Sequence, residues 1–309
     1  MSTFVNPIAP APHADPWVLY HEGVYYYCHS RHGNQLCVSK ADRLCDIGSA
    51  EPVCVYTAPE GTLYSKSYWA PELHCIDGTW VIYVAADDGQ NAHHRLYALT
   101  ADGPQEPFRM VGKISSPDDH WAIDGTVFSH MGRLYFVWSG WEGDVDVSQQ
   151  LYIAPMSDPF TICGKRACIS VPEYEWERHG RPTVNEGPEA LQKDGTLHIV
   201  YSASGSWTDD YCLGLLTLTG SDPLDPAAWT KAQKPLFTKT ETAYGPGHCS
   251  FTTSPDGSED WIVYHANEVS GSGWRGRSVR AQRFGWDGVT PVFGTPVRIG
   301  TEQIMEDGT

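Results

Sequence analysis

A chain of 309 residues with a formal net charge of -17 and only 21 Lys+Arg repels phosphate backbones and anionic headgroups, which argues against nucleic acid and membrane surfaces as partners. Aromatic residues make up 12% and charged residues 19%, a globular profile rather than a disordered one, and a chain of this length buries about 75% of its unfolded surface. A neutral ligand such as a sugar is indifferent to the acidic field.

The N-terminal MSTFVNPIAPAPHADPW has neither a basic leader nor a continuous apolar run, and no later segment approaches the roughly 18 apolar residues of a spanning helix. The nine cysteines are odd in number and lack C-x-x-C spacing, which fits reduced thiols. These features lead to the expectation of a soluble, cytoplasmic protein.

Five similar segments then follow in chain order: HADPWVLYHEGVYYYCHS, WAPELHCIDGTWVIYVAADD, AIDGTVFSHMGRLYFVWSG, NEGPEALQKDGTLHIVYSASGS and GHCSFTTSPDGSEDWIVYHANE. Each has a polar residue near its start, a short run, a turn glycine, and a run rich in Tyr, Trp, Val and Ile. The turn glycines are Gly23, Gly78, Gly132, Gly195 and Gly257, a spacing that marks an internal repeat. A third run follows each hairpin: NQLCVSKAD, HRLYALTADGPQEPF, QQLYIAPMSDPF, DYCLGLLTLTGSDPLD and GRSVRAQRFGWDG, most ending in Asp, Gly or Pro turn chemistry. No apolar stripe of helical period exceeds two turns.

The expected fold is therefore all-β: a single five-bladed β-propeller catalytic domain over residues 1–309. A β-sandwich would also contain similar hairpins, but it gives no reason for a polar residue to recur before each turn. Those residues are Asp15, Glu72, Asp124, Glu186 and His248, six to nine positions ahead of the glycines. In a propeller they fall on the innermost strands and converge on one end of the channel.

Two carboxyls facing one cavity rimmed by Trp and Tyr are the minimum equipment for glycoside hydrolysis, since one protonates the leaving oxygen and the other acts across the sugar. Like charges held close raise one pKa and keep that group protonated as the acid. Glu189 is three residues beyond Glu186 and has no apparent counterpart in the other units, so it is expected to support rather than to react. His93-His94 and the scattered cysteines lack metal-ligand spacing and read as a solvated or sugar-contacting loop and as packing, respectively.

The ordered set HADP, WAPE, AIDG and EGP, one per unit, resembles glycoside hydrolase family 43 from Asn6-Pro7 through the GRSVRAQ segment. The resemblance implies hydrolysis with inversion: Asp15 as general base, Asp124 orienting the acid and raising its pKa, and Glu186 as general acid. It further implies Trp69 as a sugar platform, His248 as the channel histidine and Arg277 as a contact to sugar hydroxyls. No cofactor is required, although the family allows a structural Ca2+ or a chloride in the channel near His248. Inversion leaves room for a water, which sets an expected carboxyl separation of about 6.5 to 9.5 Å.

The NEGPEA, WAPELH and AIDGTVF settings resemble the exo-acting α-L-arabinofuranosidases. The expected substrate is an arabino-oligosaccharide, with β-D-xylosidase or endo-arabinanase activity as alternatives within the family. A non-catalytic sugar-binding propeller is the alternative of another class; it predicts that one of the three acids is missing or misplaced.

Overall fold

Both faces of nearly every middle strand are covered, which explains why runs such as WVIYVAA lack the simple alternation of a half-exposed strand. The computed structural model describes residues 2–306, so the expected domain limits at 1 and 309 lie outside the described residues. Five antiparallel blades succeed one another along the chain as a five-bladed β-propeller, blades 3 and 4 being joined into one sheet by a short parallel pairing of Ser148 and Gln149 with Thr183 and Val184. Their innermost strands are Trp17–His21, Lys66–Ile76, Ala122–His130, Thr183–Lys193 and Tyr244–Thr253. Each pairs with the strand beyond its turn glycine, then with a third and a fourth, and in blade 3 two short strands share the outer place. Among the described residues there is no α-helix, only short 3-10 turns.

Four of the five hairpins close through two successive left-handed residues: Glu22-Gly23, Asp77-Gly78, Met131-Gly132 and Asp194-Gly195. This is the turn whose twist matches that of paired strands, and its second position favours glycine. The fifth differs. Its loop runs from Ser254 to Glu259, with Asp256 accepting from Ser254 and Ser258, so Gly257 alone is left-handed.

An apolar seam fills each gap between blades. Leu36 and Val38 of blade 1 meet Leu73 and Ile82 of blade 2, and Tyr83 meets Phe136 across the next gap. Val137 of blade 3 meets Ile199 of blade 4, and Val200 meets Ile262 of blade 5. Blades 5 and 1 close through Trp261, Val263, Tyr25 and Tyr27. The terminal strands Ser2–Val5 and Glu302–Met305 pair antiparallel and add Phe4 and Met305 to that last seam, so the two ends of the chain latch the ring.

Blades are thus fixed by their flanks, and the inner strands are free to carry polar residues. Four of these strands contain a register irregularity, at Trp69/Glu72, Ile123/Thr126, Glu186/Glu189 and Gly247/Ser250. Beside them the backbone turns left-handed at Ala70, Asp124, Gly187 and His248, and in blade 1 at Asp15 just ahead of the strand. Such bulges re-aim side chains towards the channel.

Candidate active site

The left-handed positions correct the repeat alignment. Asp15, Ala70, Asp124 and Gly187 each stand eight residues before their turn glycine, so blade 2 presents Ala70 where blades 1 and 3 present an acid. Glu186 is one residue ahead of this position. Glu72 is two residues behind it, and its counterpart in blade 4 is Glu189; both lie six residues before the glycine and just past the bulge. Glu189 therefore does have a partner position, contrary to the sequence expectation, and Glu72 belongs to a different layer from the three catalytic candidates.

At the mouth of the channel Asp15, Asp124, Glu186, His248, Trp69 and Arg277 all line one pocket of about 480 Å³. Other hollows of about 640 and 740 Å³ lie against Tyr64 and Lys113 and against Tyr152 and Arg166, so the convergent acids, not size, distinguish the site. Glu72 and Glu189 do not line it.

Asp15 is held by cationic and imidazole partners. Arg277 Nη1 donates to its Oδ1 at 3.2 Å, and His248 Nδ1 lies 3.3 Å from the same oxygen. Burial alone would raise its pKa, but Arg277, His248 and His265 outweigh that and hold the carboxyl well below the usual range. The backbone N–H of Asp15 donates to His265 Nδ1 at 3.1 Å. The same Nδ1 lies 3.3 Å from Asp15 Oδ1, and burial lowers the pKa of His265 to about 4. Arg277 lines the pocket, with Nη1 on Asp15 and Nε donating to the Trp274 carbonyl at 3.3 Å.

Glu186 sits in the opposite situation. Burial raises its pKa first; the Tyr211 hydrogen bond, Ser206 and Arg277 oppose this, Asp15 adds to it, and the balance is a pKa pushed up to about 7. Tyr211 donates its hydroxyl to Oε1 at 2.9 Å. Asp124 is also raised, by burial and then by Glu186 and Asp15, while the Gly187 N–H donates to its Oδ2 at 3.0 Å. With Asp15 ionised, the Asp124–Glu186 pair retains a proton near neutrality, and the two titrate together. Gly187 has a φ of 51°, a conformation that Ala70 and Asp124 also adopt at the equivalent position, and a Cβ there would stand a tight 3.2 Å from the His248 ring.

The His248 ring lies between the acids, 4.0 Å from Asp124 Oδ2, while its backbone N–H donates to Ser202 Oγ; burial lowers its pKa against the pull of Asp15. Among the described residues no group of three or more His, Cys, Asp or Glu is arranged as metal ligands. Trp69 is 40% exposed and stacks on His94 with centroids 3.9 Å apart, leaving its other face to the pocket. His94 is fully buried between Asp87 and the Ser67 carbonyl, not solvated, and only its neighbour His93 is exposed, beside Asp88.

Sequence reasoning did not single out Tyr211, His265, Ser206, Trp121, Trp207 or Trp274, all of which touch the acids or line the pocket. One signal was available: SGSW at 204–207 and SGSGW at 270–274 each place a tryptophan in a small-residue loop of successive blades.

The sequence profile of glycosyl hydrolases family 43 matches residues 4–290. The chain is 36% identical to the extracellular exo-α-(1→5)-L-arabinofuranosidase of Streptomyces avermitilis, over 98% of this chain and 65% of that protein. It is 34% identical to the enzyme of the same name from Streptomyces chartreusis, over 86% of this chain and 83% of that one. The crystal structure of an α-L-arabinofuranosidase from Lactobacillus brevis superposes with a TM-score of 0.90 at 34% identity, covering 96% of this chain and 98% of that one. The chain thus spans a little under two thirds of the Streptomyces avermitilis protein. Two of these relatives are named extracellular, which overturns the cytoplasmic expectation. That expectation leaned on cysteine usage, but the nine free thiols include Cys28, Cys37, Cys212 and Cys249 as buried apolar filler, so they report packing and not compartment.

Proposed function

The chain belongs to glycosyl hydrolase family 43, and on that footing we propose that it is an inverting, exo-acting α-L-arabinofuranosidase. It releases terminal arabinose from α-1,5-linked arabino-oligosaccharides. One observation carries the chemistry: a single pocket holds an ionised Asp15 beside Arg277 and a proton-retaining Glu186 beside Tyr211. The names of the relatives support the sugar and the exo action.

In this mechanism Asp15 accepts a proton from water as the water oxygen bonds to the anomeric carbon. The bond from that carbon to the leaving oxygen breaks on the other side, and Glu186 donates its proton to that oxygen. Solvent then removes a proton from Asp15 and returns one to Glu186. Asp124 fixes the Glu186–Gly187 segment by accepting from the Gly187 N–H, and it shares the retained proton with Glu186. Trp69 offers an apolar ring face to the cleaved sugar. All three acids line the pocket, which weighs against the non-catalytic binder.

The test is product analysis by NMR on arabinotriose together with xylobiose. Stepwise release of arabinose, appearing first as the β-anomer, is expected. Predominant hydrolysis of xylobiose, or internal cleavage of longer arabinans, would overturn the assignment.

A further inference from the structure

We propose that Trp207 and Trp274 form the subsite for the leaving sugar, the arabinofuranosyl residue whose oxygen Glu186 protonates; this rests on the function proposed above. The starting point is the acid. A proton donor acts only within hydrogen-bond reach of the oxygen it protonates, so the ring bearing that oxygen lies beside Glu186.

The structure ties two indoles to that place. Ser206 lines the pocket with Glu186 and lowers its pKa, and the Trp274 indole N–H donates to Ser206 Oγ at 3.1 Å. Trp207 is the next residue in the chain, and its ring meets that of Trp274 edge-on at 6.0 Å. Both line the pocket. Trp69 stands on blade 2, stacked on His94, and has no such link to the acid.

The pair is also held in advance of binding. Asp209, two residues after Trp207, accepts from the Ser270 hydroxyl and from the Gly271 N–H at 2.9 Å, strapping the blade 4 loop to the blade 5 loop that carries Trp274. Under Trp207 the chain runs close: a Cβ on Gly205 would reach 2.6 Å from the ring, and one on Gly180 would reach 3.0 Å. Trp274 is nevertheless 57% exposed, a large apolar face in a fixed orientation with nothing of the described chain over it. A rigid, uncovered indole suits the apolar face of a neutral sugar and loses little entropy on binding. A single pair of this kind favours one bound ring beyond the cleaved residue.

The experiment compares two substrates, arabinotriose and α-L-arabinofuranosyl fluoride. The fluoride has no leaving ring and does not need protonation by Glu186. For Trp274→Ala and Trp207→Ala, the ratio of kcat/KM on the triose to that on the fluoride is expected to fall about tenfold. Trp274→Phe recovers part of the loss, and Trp69→Ala lowers both substrates together, so its ratio stays near that of the parent. An equal fall on both substrates, or no fall on either, overturns the inference. If the parent enzyme acts on xylosides instead, the proposed function fails, and the same ratio measured with xylotriose and xylosyl fluoride still decides the role of the two tryptophans. Trp274 is exposed, so its Ala variant keeps the fold; thermal melting of each variant identifies any that does not.

Discussion

Asp15, Asp124 and Glu186 at the channel mouth, and Glu72 and Glu189 further along the inner strands, form two sets of acids whose members are largely withdrawn from solvent; their partners differ in kind. In the upper set Asp15 meets Arg277 and two histidines, Glu186 meets the Tyr211 hydroxyl, and all three acids open onto a pocket with exposed tryptophans. In the lower set Glu189 is raised well above the usual range by burial and then by Glu72, and Glu72 Oε2 lies 2.9 Å from His74 Nε2. The lower pair, on the inner strands of blades 2 and 4, does not line the pocket of the upper set. Burial and a shifted pKa therefore do not mark chemistry by themselves; opposed environments around one pocket do.

The comparison breaks most easily at the upper set. Asp15→Ala and Glu186→Gln are each expected to lower kcat on arabinotriose by roughly 10²- to 10⁴-fold while the melting temperature is kept. Turnover within a few-fold of the parent in either variant would remove that residue from the mechanism.

Replacing Arg277 by Met acts on the base without deleting it. The guanidinium lowers the Asp15 pKa, so its loss raises that pKa and moves the acid limb of the kcat/KM profile upward in pH. In the parent that limb lies below the ordinary carboxylate range. The alkaline limb follows Glu186 and lies near pH 7, because the acid must be protonated to act and loses its proton as pH rises through that value.

Tyr211→Phe has a smaller effect of opposite sense. The tyrosine hydroxyl stabilises ionised Glu186, so without it the pKa rises and the alkaline limb shifts to higher pH. A shift to lower pH would show that the limb belongs to another group.

The smallest change in activity is expected at the lower set, with Glu189→Gln. Glu189 does not line the pocket, so turnover changes little. Stability does respond. Glu189 has a higher pKa folded than unfolded, so the parent loses stability as pH rises above the ordinary glutamate range, and the variant is spared that loss. Melting temperatures compared at pH 5 and pH 8 are expected to diverge in favour of the variant at the higher pH. A large fall in kcat would instead place the lower pair in the reaction.

The hairpins could be read from the sequence because the closing turns favour glycine and the doubly covered strands run apolar. Asp15, Asp124 and Glu186 could be read because each sits in a short motif on an inner strand. The assignment of Glu72 to the same layer failed for a physical reason. A bulge inserts residues without a fixed signature, and its left-handed position is occupied by Asp, Ala, Gly or His, so counting back from a turn glycine cannot locate it. Tyr211, His265 and the two loop tryptophans lie outside the inner-strand motifs that sequence comparison used, and only the closure of the ring brings them to the acids.

The central claim is that Glu186 supplies the proton and Asp15 activates the water. Hydrolysis by Glu186→Gln and Asp15→Ala, measured on arabinotriose and on α-L-arabinofuranosyl fluoride, tests it most directly. Glu186→Gln is expected to lose the triose yet still cleave the fluoride, whose departure needs no acid, whereas Asp15→Ala loses both. A Glu186→Gln enzyme that fails equally on the two substrates, or an Asp15→Ala enzyme that retains the fluoride, would contradict the assignment.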